Sequence, residues 1–228
     1  MTKILPQIFL VALSFCATAQ SGGHEHLGPA PLEADDSLFP TVGPILVSVS
    51  MLATIKSDGR VSHTKVLDTI RGTNDFYQGT LIGYLDDAVA AATRWRFDPA
   101  IDSGLRPIES LASITFLYDR VWGRGTALPT FTTVPSKTGD YVPPIPTKLS
   151  RAEYPVNSIG IGTVVLNLHV EANGSVSDAR IIKSVPSLDE PSIIAAKKWR
   201  FQAAQYKGTS IPSTATAAFV YLPFMRRH

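Results

Sequence analysis

The 228-residue sequence contains a single cysteine, Cys16, which lies close to the N-terminus. A lone thiol has no partner within the chain, so the sequence excludes an internal disulfide. Because Cys16 falls in a segment that we expect to be removed, the mature chain is also predicted to have no thiol nucleophile and no cysteine-ligated metal.

Motifs of catalytic and cofactor sites are missing as well. The sequence has no nucleophile elbow, phosphate-binding loop, His-Glu-x-x-His helix or Cys-x-x-Cys pair. Asp86 and Asp87 are adjacent, but neighbours on a helix point about 100° apart and cannot share a substrate, so we interpret them as first-turn helix charges. His63 and His169 fall on predicted strands and are interpreted as outward polar positions. We therefore predict a protein that is not an enzyme and that has no catalytic residues, cofactor or metal.

Neither sign of charge is in excess, and no long apolar run is present. The chain has 21 basic and 19 acidic residues, for a formal net charge of +2, which does not indicate a nucleic-acid partner. The apolar run Ile8–Cys16 is shorter than the roughly 20 residues that a spanning helix needs. The basic tail Met225–His228 is interpreted as a solubilising end.

The N-terminus has the pattern of an export signal. Lys3 precedes the apolar run, and Ala17-Thr18-Ala19 forms a small-x-small cleavage site. Residues 1–19 are therefore predicted to be a signal peptide cleaved near Ala19, which places the mature protein in the periplasm or cell envelope. An uncleaved membrane anchor and a lipid on Cys16 remain alternatives. Residues 20–38 are polar and are predicted to be a flexible arm. His24 and His26 could bind a transition metal, but we interpret them as solvent-exposed residues that lie close together by chance, because metal sites normally draw their ligands from a rigid scaffold.

An internal repeat organises the rest of the chain. The segment Leu85–Phe97, LDDAVAAATRWRF, returns as LDEPSIIAAKKWRF at Leu188–Phe201. Its apolar spacing predicts a short helix in each copy, with acids first and bases last as the helix dipole favours. For the second helix, two starts remain open: a capping box from Ser187 to Glu190, or Asp189 as the N-cap.

The flanking segments repeat too. Each copy begins with alternating apolar positions that predict a strand, then a tight Asp58-Gly59 or Asn173-Gly174 turn, then a second strand (Val61 to Leu67, Val176 to Ile182). A closing strand follows each helix. The residues that recur at equivalent places are predicted to be structural: Trp95, Phe97, Trp199, Phe201, Gly59 and Gly174.

The repeat predicts an α+β protein made of two small two-layer domains. Each is expected to have an antiparallel three-stranded sheet with one helix packed on it, in the order β-β-α-β. The predicted boundaries are 39–122 and 151–228, joined by a Pro/Thr-rich linker over 123–150. The first copy has a longer connection, 68–84, with Phe76 and Tyr77; we interpret it as a tolerated insertion, with a binding loop as the alternative.

The order Tyr154-Pro155, strand, Asn173-Gly174 turn, strand, helix ending in Trp-Arg-Phe, and strand ending Phe-x-Tyr resembles the C-terminal domain of TonB, the bacterial energy transducer. The second copy is similar over Tyr154–Leu222, and the first over Phe39–Tyr118. The resemblance implies a tandem pair of protein-binding domains in envelope transport, with an outer-membrane transporter or another envelope protein as partner. It implies no nucleic-acid or small-molecule ligand.

In the TonB family the closing strand is where the receptor peptide adds to the sheet, so the resemblance implies a peptide-binding edge at Thr216, Ala217, Ala218, Phe219 and Val220. This strand has neither charge nor proline from Thr214 to Leu222, so nothing in it guards against pairing. Coverage of the edge by the tail, by copy one or by a second chain is the alternative. The alternative function is therefore that of a structural or self-assembling envelope protein, which could form a homo-oligomer.

Overall fold

The computed structural model describes residues 28–36, 46–71, 81–120 and 140–222. The predicted signal peptide, the basic tail, Phe76 and Tyr77 all lie outside these ranges. Between residues 28 and 120, which we call the first half, the elements are β1 (Ala30–Glu33), β2 (Leu46–Ile55), β3 (Val61–Arg71), α1 (Leu81–Arg94), β4 (Arg96–Asp98), β5 (Ala100–Ile101), β6 (Pro107–Ile108) and β7 (Ser110–Arg120). Between residues 140 and 222, the second half, they are β8 (Tyr141–Val142), β9 (Ile145–Lys148), β10 (Gly162–Val170), β11 (Val176–Lys183), α2 (Pro186–Lys197), β12 (Arg200–Gln202), β13 (Ala204–Tyr206), β14 (Thr209–Ile211) and β15 (Ser213–Leu222).

The α+β class agrees with the sequence, but the two separate sheets do not. The long strands form one six-stranded sheet in the order β11-β10-β15-β7-β2-β3. Pairing is antiparallel within each half, whereas the closing strands β7 and β15 pair in parallel, with Thr216 to Leu222 opposite Ile114 to Arg120. The closing strands explain this difference. β15 carries no charge and β7 carries charges only at its C-terminal end, Asp119 and Arg120, so two largely unguarded edges can pair with each other.

The two helices lie on opposite faces of this sheet. Phe116 and Tyr118 of β7 pack in one apolar cluster with α1 residues and with Ala218 and Val220 of β15. Leu117 instead packs in the other cluster, which contains α2 residues. Alternate residues of a strand point to opposite faces, so each face carries one helix and one core. The central strands are consequently buried on both sides.

Short strands lie within the segments that were predicted to be arm and linker, among them β8 (Tyr141–Val142), which pairs with β13. β1, within the predicted arm, pairs with β4, and β9, within the predicted linker, pairs with β12. The composition misled because both strands contain proline, Pro31 and Pro146, which an edge position tolerates. The described strands of each half therefore begin before the predicted boundaries, residues 39 and 151. Residues 20–27 and 123–139 lie outside the described ranges.

The helix starts also differ from expectation. α1 begins at Leu81, so its first turn contains no acid, and the first-turn interpretation of Asp86 and Asp87 is wrong. α2 begins at Pro186 with Val185 as N-cap and no side-chain cap. Asp189 instead reaches back and accepts hydrogen bonds from the Val185 N–H at 2.8 Å and the Ser184 hydroxyl at 2.6 Å. Neither α1 nor α2 is long and apolar enough to cross a membrane.

Candidate functional site

The predicted peptide-binding strand, Thr216 to Val220, lies in the middle of the sheet. Ala218, for example, has Val165 of β10 on one side and Phe116 of β7 on the other. All five side chains are buried. The free edge expected here is therefore absent in this arrangement, because a strand of the first half lies against it.

Small and aliphatic side chains allow this contact. Ala217 and Ala218 leave room for the neighbouring strand, while Val220 adds to the first half's core and Leu117 to the second half's core. Each half thus completes the apolar core of the other. Burial of this kind stabilises by about 1.5–3 kcal/mol for each fully buried aliphatic side chain.

An ion pair joins the halves at one end of the closing strands. The Arg151 guanidinium of the second half donates two hydrogen bonds to the Asp119 carboxylate of β7, at 2.8 and 2.7 Å. The two side chains are only 20% and 13% exposed. Burial raises the pKa of Asp119, and the hydrogen bonds from Arg151 oppose that shift. The bidentate geometry is that of an ionised carboxylate with a guanidinium.

A second contact involves the segment after β1. The Asp36 carboxylate accepts a hydrogen bond from the Thr163 N–H at 3.2 Å and lies 3.5 Å from the Lys183 ammonium. The same segment is held to the first half, because the Trp95 indole donates to the Asp35 carbonyl at 3.3 Å. On the other side of β1, the Thr214 hydroxyl donates to the carbonyl of Pro29, the residue before β1, at 3.1 Å. This segment therefore bridges the two halves.

The recurring glycine and the recurring Trp-Arg-Phe segment touch each other. Gly59 and Gly174 both have a φ of +79°, and each glycine carbonyl accepts a hydrogen bond from the N–H of the Phe that follows the tryptophan, Phe97 or Phe201, at 2.9 and 2.8 Å. A Cβ on Gly174 would lie 1.8 Å from the Phe201 carbonyl oxygen. Only glycine fits there.

Both repeated tryptophans lie in the cores. Trp95 is 1% exposed and Trp199 is fully buried, with ring centroids 5.1 Å from Phe116 and 5.3 Å from Phe219. The Trp199 indole donates to the Ser150 carbonyl at 2.9 Å. With no exposed ring face, neither tryptophan is a surface binding platform in this arrangement.

These contacts place every repeated motif of the second half within one compact unit. Residues 160–222 match the family model of the Gram-negative bacterial TonB protein C-terminal domain. The matched range runs from just before β10 to the end of β15, and includes the predicted peptide-binding strand. The match covers one unit, in the second half. No curated protein matches the chain.

Because the closing strands lie in the middle of the sheet, its two edges are the outer strands, β11 in the second half, which contains the TonB C-terminal match, and β3 in the first half. β11 and β3 each pair with one neighbour among the described strands. Their exposed side chains include Asp178 and Arg180 on β11 and Lys65 on β3. Charges of this kind protect an edge against unwanted pairing. Exposed charges thus lie along the outermost strands, whereas the uncharged closing strand β15 is central.

Buried polar groups between helix and closing strand were not found from the sequence. The Tyr118 hydroxyl donates to the Asp87 carboxylate at 2.8 Å, and Tyr221 lies 2.7 Å from the Ser192 hydroxyl. Burial raises the pKa of Tyr221. The repeated Phe-x-Tyr pattern was the available signal, since a buried tyrosine usually finds a polar partner.

Two histidines, His63 and His169, lie within the described residues. His63 is exposed, and His169 lies half-buried with its Nε2 3.7 Å from a Glu171 carboxylate oxygen. Within residues 28–36, 46–71, 81–120 and 140–222, no group of three or more His, Cys, Asp or Glu side chains is placed to hold a metal ion.

Proposed function

We propose that this is an exported envelope protein that binds other proteins through a tandem pair of TonB C-terminal-like units. The family match over residues 160–222 supports this for the second half. The same order of hairpin, helix and closing strand in the first half supports a second unit of the same kind. The role is binding and not catalysis, and the location is the periplasm or envelope after cleavage near Ala19, or a membrane anchor if the N-terminus is retained or Cys16 is lipidated.

Strand addition at Thr216 to Val220 is the proposed mode of binding. The observation that carries it is the parallel ladder from Thr216 to Leu222, in which this edge already accepts a strand from elsewhere in the chain. Backbone hydrogen bonds supply much of the affinity in such recognition. An external segment from an outer-membrane transporter or another envelope protein takes the same place when β7 moves away.

A reversible cross-link tests this mode. Thr115 and Ala217 are register partners with small, buried side chains, and neighbouring strands bring such positions within disulfide reach. A chain with Thr115→Cys, Ala217→Cys and Cys16→Ser is expected to capture envelope proteins when reduced and to lose them when oxidised. The reduced form of the same variant is the matched control. Equal capture in both states would move binding away from this strand.

A structural role is the second candidate. The buried β7–β15 pair favours it, because the strand that the family uses for peptides is filled within the chain. In that case neither redox state of the cross-linked variant captures an envelope protein, and the pairing serves to hold the two halves as one body.

A further inference from the structure

We propose that the second half selects an extended segment that lies parallel to β15 and carries an aliphatic residue followed two positions later by a carboxylate, with β7 as its internal competitor. This inference rests on the proposed function and deepens it. Its basis is that β7 occupies the edge in the structure, so the contacts of β7 with the second half specify what that edge accepts.

Leu117 is the aliphatic position. It stands opposite Phe219 in the register, is 1% exposed, and packs in the cluster that contains Leu149 and the α2 core residues. Its side chain therefore packs in the apolar core of the second half. A polar residue in its place would leave a buried polar group without a partner, which is costly.

Asp119 is the acidic position. It lies two residues after Leu117, so both side chains point to the same face of the sheet. Both of its carboxylate oxygens accept hydrogen bonds from Arg151, which belongs to the second half. A guanidinium recognises a carboxylate in this bidentate way with defined geometry. The second half thus offers an apolar position and a cation at the spacing of alternate residues.

Tyr118, the residue between these two, and Phe116, the residue before them, carry no such requirement. Phe116 and Tyr118 point to the opposite face, where they pack in the core of the first half. The recognised pattern is therefore Leu-x-Asp in a strand parallel to β15. Because β7 is tethered to the edge that it fills, its effective concentration is high, and a free segment binds only by displacing it.

The test uses the full chain and two synthetic peptides. One is the β7 sequence itself, SLASITFLYDR, and the matched control has asparagine in place of its aspartate. In the Asp119→Asn chain, Arg151 lacks its carboxylate, so this chain is expected to bind the Asp peptide more tightly than the wild-type chain does. We expect it to prefer the Asp peptide over the Asn peptide by at least about tenfold, since hydrogen bonds to charged groups contribute on that scale.

Two controls locate the preference. Adding Arg151→Met to the Asp119→Asn chain is expected to abolish the preference, and the oxidised Thr115→Cys/Ala217→Cys chain is expected to bind neither peptide. The wild-type chain gives the same Asp-to-Asn ratio independently, because the internal competitor weakens both peptides equally. That ratio keeps the test decisive if Asp119→Asn does not fold.

Equal binding of the two peptides, a preference that survives Arg151→Met, or no binding of either peptide would each overturn the inference. These results leave the proposed function standing if the reduced cross-linked variant still captures envelope proteins and the oxidised one does not. Loss of that redox difference counts against the proposed function itself.

Discussion

Removing the first half should turn the second half into a dimer. A fragment of residues 140–228 keeps β8 to β15 and α2, but β15 loses its parallel neighbour. Val165, Val220 and Leu222, which pack in the first half's core, become exposed on the face opposite α2. An open edge of this kind, next to an apolar face, is a template for pairing.

The loss of stability on removing the first half can be estimated from these three side chains. Exposing a fully buried Val or Leu costs about 1.5–3 kcal/mol, so the loss is about 5–9 kcal/mol. Whole domains are stable by about 5–15 kcal/mol, which makes the isolated fragment marginal as a monomer. Two fragments recover the loss by pairing β15 with β15 in parallel, because β7 and β15 occupy equivalent positions in the two halves.

We would measure the mass of the fragment by light scattering after gel filtration, and its stability by thermal unfolding at several concentrations. We expect a dimer mass and a melting temperature that rises with fragment concentration, as linkage of folding to association requires. The full-length chain is the control, and its melting temperature should not depend on concentration. A fragment that stays monomeric at every concentration and still unfolds cooperatively at the temperature of the full chain would refute the reasoning.

Three further predictions concern single positions. Trp199→Ala should lower the free energy of unfolding by about 3–5 kcal/mol in denaturant titrations, because it empties a large aromatic site in a core; unchanged stability would remove the ring from its structural role. Gly174→Ala should cost at least about 2 kcal/mol more than Gly208→Ala, since both glycines have φ near +80° but only at Gly174 would a Cβ meet the Phe201 carbonyl; equal costs would mean that the turn relaxes freely. Hydrogen bonds from the Arg106 backbone N–H and then from the Arg106 side chain lower the pKa of Asp102 below 3.8. The ionised Asp102 therefore stabilises the fold above that pH, and this contribution is lost as the pH falls through the lowered pKa. The stability difference between wild type and Asp102→Asn should shrink in acid, and a difference that stays constant would contradict this.

Local features of the fold could be predicted from the sequence, because neighbouring residues determine them. The two hairpin turns and both closing strands lie where the repeat placed them. The Gly174 turn is confirmed with its positive φ. What the repeat did not predict is that Gly174 and Phe201 contact each other, since the hydrogen bond joins segments far apart in the chain.

The joining of the halves could not be predicted from periodicity alone, since pairing of two edges is a tertiary event. One signal was present. Ala215 to Leu222 is apolar at nearly every position, a pattern typical of strands buried on both faces. The short strands β1 and β9 were not predicted for another reason, because Pro31 and Pro146 are residues typical of loops. The two prolines are nevertheless 115 residues apart, the same offset that relates the two copies of the repeat.

That same offset relates Asp36 to Arg151, two charged side chains that each form an ion pair with the opposite half. In a dimer of identical chains, symmetry would place one and the same residue at both positions, so both ends of the contact would carry equal charge. Within a single chain the two positions are free to diverge, and here one is an anion and the other a cation. Asp36 faces Lys183 and Arg151 faces Asp119, so at both contacts the acid belongs to the first half and the base to the second. The joined body is therefore electrically complementary across its central strands in a way that no symmetric pair of identical halves would be.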